Sequence, residues 1–232
     1  MLKTKSNPLH IDLIGVSGCG KTTVKMLLVK YFKNERITLA ANSRAGMVNS
    51  DFCKRVGIKS VIFYWVDVFL TWLIFKKIFR GKKKEKIEGL LKEKFILSNV
   101  TRVDGFVTEG VFHQITASVK WSDWLVRQFV GWHYRHGRTI IVYLKVPDEQ
   151  VVRRQIDRKG LDSGDLETRA RTRESVRFRR ELIEEFVSIL DKNWKNGIVV
   201  RVVISEDDSP AGAAEKVKMA LEKIPSNPII KR

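Results

Sequence analysis

The chain has 232 residues and a mass of 26.8 kDa, and with 44% hydrophobic, 30% charged and 9% aromatic residues it can bury a core. That composition excludes a disordered chain, a collagen and a disulfide miniprotein. Lys+Arg 44 against Asp+Glu 26 leaves a formal charge of +18, which favours polyanionic partners: phosphate-bearing ligands, nucleic acid or an anionic membrane surface.

Residues 1–7 carry lysines with no apolar run behind them, so no secretory signal is expected. A strand is predicted at 10–14. It runs directly into Gly15-Val-Ser17-Gly18-Cys19-Gly20-Lys21-Thr22-Thr23, which matches G-x-x-x-x-G-K-[ST] in its required setting between a strand and a helix, the latter at 21–34. In such a loop the small residues let backbone N–H groups surround a β-phosphate at the helix N-terminus. The lysine, expected to be an exposed loop cation, bridges β- and γ-oxygens, and the Thr22 hydroxyl ligates Mg2+.

A second strand is expected at 37–41, followed by Asn42-Ser43-Arg44-Ala45-Gly46 with no acid. A helix at 59–79 comes next. On it Ser60, Tyr64, Asp67 and Thr71 form a polar stripe among aromatic residues, and 76–86 is a basic run, with seven of its eleven residues Lys or Arg. The stretch 61–75 is too short to span about 30 Å of hydrocarbon as a helix. The segment reads as a core helix, as the wall of an acceptor pocket, or as an interfacial helix beside an anionic membrane. Beyond a helix at 85–99, a strand at 105–108 ends in a single acid, Glu109, before Gly110. Helix 115–136 and strand 139–146 lead into Pro147-Asp148-Glu149, which opens a helix at 148–158. Arg154 and Arg158, at i and i+4, share one face of it. A helix at 168–193, a strand at 198–204 and a helix at 211–223 complete the chain, with Ser209-Pro210 as the cap and first turn of the last.

The alternation of strands and helices is that of an α/β domain with a parallel sheet, and no linker divides it, so residues 1–232 are read as one domain. The series Arg169, Arg173, Arg177 and Arg180 reads as a solvated helix face. The four histidines and two cysteines show no metal spacing. No N/T-K-x-D guanine motif is present, and the strand at 105–108 ends in one acid rather than a pair, which argues against GTPases and AAA or ABC modules.

These motifs resemble the thymidylate kinase and deoxynucleoside kinase group of P-loop kinases. The resemblance implies a three-layer P-loop NTPase fold on a five-stranded parallel sheet, order 2-3-1-4-5, with a helical lid at about 154–172. It implies ATP and Mg2+ as cofactors, Lys21, Glu109, Arg154 and Arg158 as catalytic residues, and Thr22 with Glu109 at the metal. Arg44 would hold the acceptor and the loop Ser205-Glu-Asp-Asp208 adenine, while the polar stripe itself, in the pocket reading, offers Asp67 to the acceptor as a base. The activity implied is γ-phosphoryl transfer to a small nucleoside-like or nucleotide-like acceptor by a cytoplasmic enzyme. The alternatives are a membrane-peripheral kinase acting on a lipid-linked or glycan acceptor, and a nucleic-acid-binding ATPase or 5′-end polynucleotide kinase. Nucleic acid is the less favoured partner, and nothing in the sequence excludes an oligomer.

Overall fold

The computed structural model of the chain describes residues 9–31, 37–39, 105–108, 120, 122–124, 126–127, 130, 138–162, 164–194 and 197–224. Their elements are β1 (Leu9–Ile14), α1 (Lys21–Tyr31), β2 (Ile37–Leu39), β3 (Gly105–Thr108), β4 (Arg138–Lys145), α2 (Asp148–Lys159), α3 (Leu166–Asn193), β5 (Gly197–Val203) and α4 (Pro210–Glu222). All strand pairings are parallel and the neighbour order is β2-β3-β1-β4-β5.

β4 lies between β1 and β5, and its Ile140, Ile141, Val142, Tyr143 and Leu144 are all buried. A strand covered on both faces needs such an unbroken apolar run rather than alternation. β1 is equally enclosed, with Ile11, Leu13 and Ile14 in the core. Among the described strands β5 pairs with β4 alone, and it is more open: Val203 is 65% exposed.

The architecture implied by the resemblance is corrected in its lid. Buried side chains on β1, β4 and β5 and on the four helices form the core. β2 and β3 enter through short backbone pairings, Ile37–Leu39 against Gly105–Val107 and Gly105–Thr108 against Leu9–Asp12. The implied helical lid is not a separate element: residues 154–159 complete α2 and 166–172 open α3, a helix of 28 residues. Thr172 and Val176 near its start are already buried. The chain does not pause there because Asp165 caps α3 by accepting from the Glu167 N–H at 3.0 Å, while Gly160 closes α2 with its N–H on the Asp157 carbonyl.

α3 packs against α2 and β5, and α1 packs against α4. Arg180 of α3 donates to the Val146 carbonyl and pairs with Asp148 at 2.5 Å, so α3 fixes the turn from which α2 starts. At α4 the Ser209 Oγ accepts from the Gly212 N–H at 3.0 Å, with Pro210 in the first turn, as the sequence predicts. Among the described residues no helix is long and apolar enough to cross a membrane.

The core also holds polar groups on β1, His10 and Asp12, which are 2% and 0% exposed. Burial pushes the His10 imidazole below its ordinary value of 6.5, with the Asp12 charge opposing. Between the folded and unfolded values the unfolded chain binds the extra proton. Stability is therefore expected to be fully present above about pH 6.5 and to fall as the pH drops below it. Urea titrations between pH 5 and 8 check this: His10→Gln should flatten the slope, and an unchanged slope would remove His10 as its source.

Candidate functional site

Because the strands are parallel, β1, β4 and β5 deliver their carboxyl ends to one edge, with Ile14 beside Tyr143 and Lys145 beside Val203. Ligands in open α/β sheets bind at that edge. Three segments meet its surroundings: the loop 15–20 after β1, helix α2 after β4, and the loop 205–208 after β5.

The loop is shaped by close approach. A Cβ on Gly15 would stand 2.7 Å from Cys19 Sγ and 2.9 Å from the Leu144 carbonyl, so no other residue fits without moving the strand beside it. The Cys19 N–H turns back to the Val16 carbonyl at 3.2 Å, and the Val24 N–H closes the first turn of α1 on Gly20 at 3.0 Å. Side chains then take the loop carbonyls in succession. Lys21 Nζ donates to Gly15 O at 2.9 Å and Val16 O at 3.0 Å, Gln155 Nε2 to Ser17 O at 2.6 Å, and Arg154 Nη1 to Gly18 O at 3.4 Å.

Lys21 departs from the sequence expectation. It is 3% exposed rather than an exposed cation, and its ammonium also reaches Cys19 Sγ at 3.6 Å. An ammonium inside a tight loop needs acceptors, and the loop carbonyls supply them. Thr22 and Thr23, by contrast, are exposed on the first turn of α1.

The two lid arginines separate. Arg154 is half-buried against the loop, its guanidinium 3.7 Å from where a Cβ on Gly20 would stand. Arg158, one turn further along α2, is exposed and makes no hydrogen bond or ion pair among the described residues. Glu109, Arg44, Asp67 and the 59–86 segment lie outside the described residues; β3 itself ends at Thr108, level with Asp12 of β1.

No protein-family model matches the chain, and no curated protein matches it significantly. Solved structures do match along most of its length. One is an uncharacterized protein from Eubacterium ventriosum, 10% identical, covering 91% of this chain and 97% of its own, with a TM-score of 0.40. Another is a "putative kinase" from Chloroflexus aurantiacus, 10% identical, covering 93% and 99%, also with a TM-score of 0.40. At that similarity neither bears on what this chain does.

A cleft of about 560 Å3 is lined by Glu149, Gln150, Arg153, Ile156, Arg169, Glu206 and Asp207. It lies between α2, the start of α3 and the 205–208 loop. Gln150 Nε2 donates to the Glu206 carbonyl at 3.2 Å, joining helix to loop. Asp208 steadies the loop: the Ser205 N–H and hydroxyl donate to it at 2.6 and 2.9 Å, and Lys216 at 2.5 Å. The Lys216 ammonium, with help from Ser205, holds the Asp208 carboxyl below its ordinary range. On the opposite wall Glu149 pairs with Arg173 at 2.6 Å and Arg169 at 3.6 Å, and Arg173 draws its carboxyl down in the same way.

Sequence reasoning missed Gln155 and Gln150, since glutamine belongs to no phosphate-binding motif. A signal was present for the first. Val151, Arg154, Gln155 and Arg158 fall at i, i+3, i+4 and i+7, a single stripe of α2, and the loop meets the first three of them. No group of three or more His, Cys, Asp or Glu able to hold a metal occurs among the described residues.

Proposed function

We propose that the chain is an ATP-dependent phosphotransferase that moves the γ-phosphoryl group of ATP to a small acceptor of the nucleoside or nucleotide class. The observation that carries this reading is the loop of residues 15–22 itself, with its carbonyls tied back by side chains and two cations, Lys21 and Arg154, on its wall. Backbone N–H groups at a helix N-terminus and adjacent cations are what a polyphosphate requires.

In this reading Lys21 exchanges the Gly15 and Val16 carbonyls for phosphate oxygens, and Arg154 bears on the transferring group. The acceptor oxygen forms its bond to the γ-phosphorus as the bond to the β–γ bridging oxygen breaks, ADP leaves with the electron pair, and a hydroxyl acceptor gives up its proton to a base, for which Asp67 is the candidate. The exposed Thr22 hydroxyl fits a ligand to Mg2+, which would neutralise charge on the β- and γ-oxygens. The 205–208 loop would hold adenine, Glu109 would orient the metal or the acceptor, and Arg44 and Asp67 would contact the acceptor. A second reading, the same transfer to a lipid-linked or glycan acceptor at an anionic membrane, is favoured by the +18 charge.

ATP with Mg2+ is expected to stabilise the protein, by about 2.7 kcal/mol at a concentration a hundred times its Kd. AMP at the same concentration should give much less, because it lacks the β- and γ-phosphates. Thermal melts with each ligand check this; equal shifts for the two would remove the loop as the phosphate site.

A further inference from the structure

Gln155 is separated from Ser17 by 138 residues in sequence, yet its Nε2 donates to the Ser17 carbonyl at 2.6 Å. The contact is tight on both sides: a Cβ on Gly18 would lie 3.3 Å from Gln155 Cγ and 3.5 Å from the Val151 carbonyl. Gly18 has φ +94°, a region glycine enters freely and other residues rarely. The peptide between Ser17 and Gly18 is therefore a soft point of the loop, able to turn over at low cost. In a trans peptide C=O and N–H point in opposite directions, so the group that holds the Ser17 carbonyl also decides where the Gly18 N–H points.

We infer that Gln155 is a positioning residue for phosphate: by holding the Ser17 carbonyl against α2 it aims the Gly18 N–H away from the helix and into the anion-binding side of the loop. This rests on the loop being a phosphate site and adds what keeps it in register. α2 is suited to the task because it is held elsewhere, by Gln150 on the Glu206 carbonyl, by Glu149 on Arg173, and by Asp148 on Arg180. A donor on a braced helix orients the loop before the ligand arrives, which is the condition under which such groups contribute most to binding charge.

The test uses inorganic tripolyphosphate, which has no base or sugar, titrated calorimetrically into the full-length wild type, Gln155→Met and Gln155→Ala. Methionine keeps the length and bulk of the side chain but donates nothing; alanine removes both. If the hydrogen bond positions the loop, both variants bind about five- to tenfold more weakly, the scale of one lost hydrogen bond. Methionine is then no better than alanine, and the melting temperature of the methionine variant stays close to wild type. A methionine variant that binds like wild type, with loss only in alanine, would reduce Gln155 to packing and overturn the inference. Should methionine prevent folding, an alanine variant that folds and binds like wild type overturns it equally. Failure of the wild type itself to bind tripolyphosphate would instead remove the phosphate site, and the inference with it.

Discussion

Lys21→Ala is expected to lower phosphoryl transfer by about 10²-fold or more, the scale seen when a preorganised charge is taken from a developing one. In the structure the ammonium is held by the Gly15 and Val16 carbonyls at 2.9 and 3.0 Å, so it stands inside the loop and needs little rearrangement to meet phosphate oxygens. The same burial predicts a stability cost that an exposed cation would not carry. The substitution leaves the Gly15 carbonyl without this donor, worth about 1–3 kcal/mol if nothing replaces it, whereas Val16 O keeps the Cys19 N–H. Initial rates together with urea unfolding separate the two effects. A variant that folds, is slightly less stable and transfers at the wild-type rate would contradict the assignment of Lys21.

Arg154→Ala is expected to reduce kcat by about 10² or more while changing ATP affinity by a much smaller factor, because a cation aimed at the transferring group acts mainly on charge that appears in the transition state. Arg158→Ala should do less. Although the two arginines share a helix face, Arg154 meets the Gly18 carbonyl at 3.4 Å and Arg158 is exposed without a partner among the described residues. Steady-state kinetics of the two variants, with ATP binding measured separately, decide this. Equal losses in kcat and in ATP affinity for Arg154→Ala would make it a ground-state binding group, and a larger loss for Arg158→Ala would reverse the ranking of the two arginines.

The sequence was most informative where local chemistry and tertiary packing demand the same thing. The apolar run of β4 is expected for a strand covered on both faces, and Ser209-Pro210 places the start of α4 through its own cap. The glycines at 15, 18 and 20 were legible as a phosphate loop because their spacing serves the backbone directly. The structure departs from the expected lid because Arg154 and Arg158 mark one face of a helix but not which element the chain enters next; Asp165 caps another helix, and Thr172 and Val176 bury its first turns. The environment of Lys21 was equally hidden, since a motif names the lysine without saying which acceptors surround it. Gln155 and Gln150 act through contacts across more than 50 residues, and only the shared helical stripe gave one of them a trace in the sequence.

The most direct test is transfer of label from γ-labelled ATP, with Mg2+, by the wild-type chain in the presence of nucleosides, nucleoside monophosphates, sugars and lipid extracts. The account predicts that label leaves ATP and appears on a nucleoside or nucleoside monophosphate; label on a lipid or glycan would favour the membrane reading of the acceptor. ATP that remains labelled with every acceptor, or label released only as inorganic phosphate, would contradict the claim that this chain is a phosphotransferase.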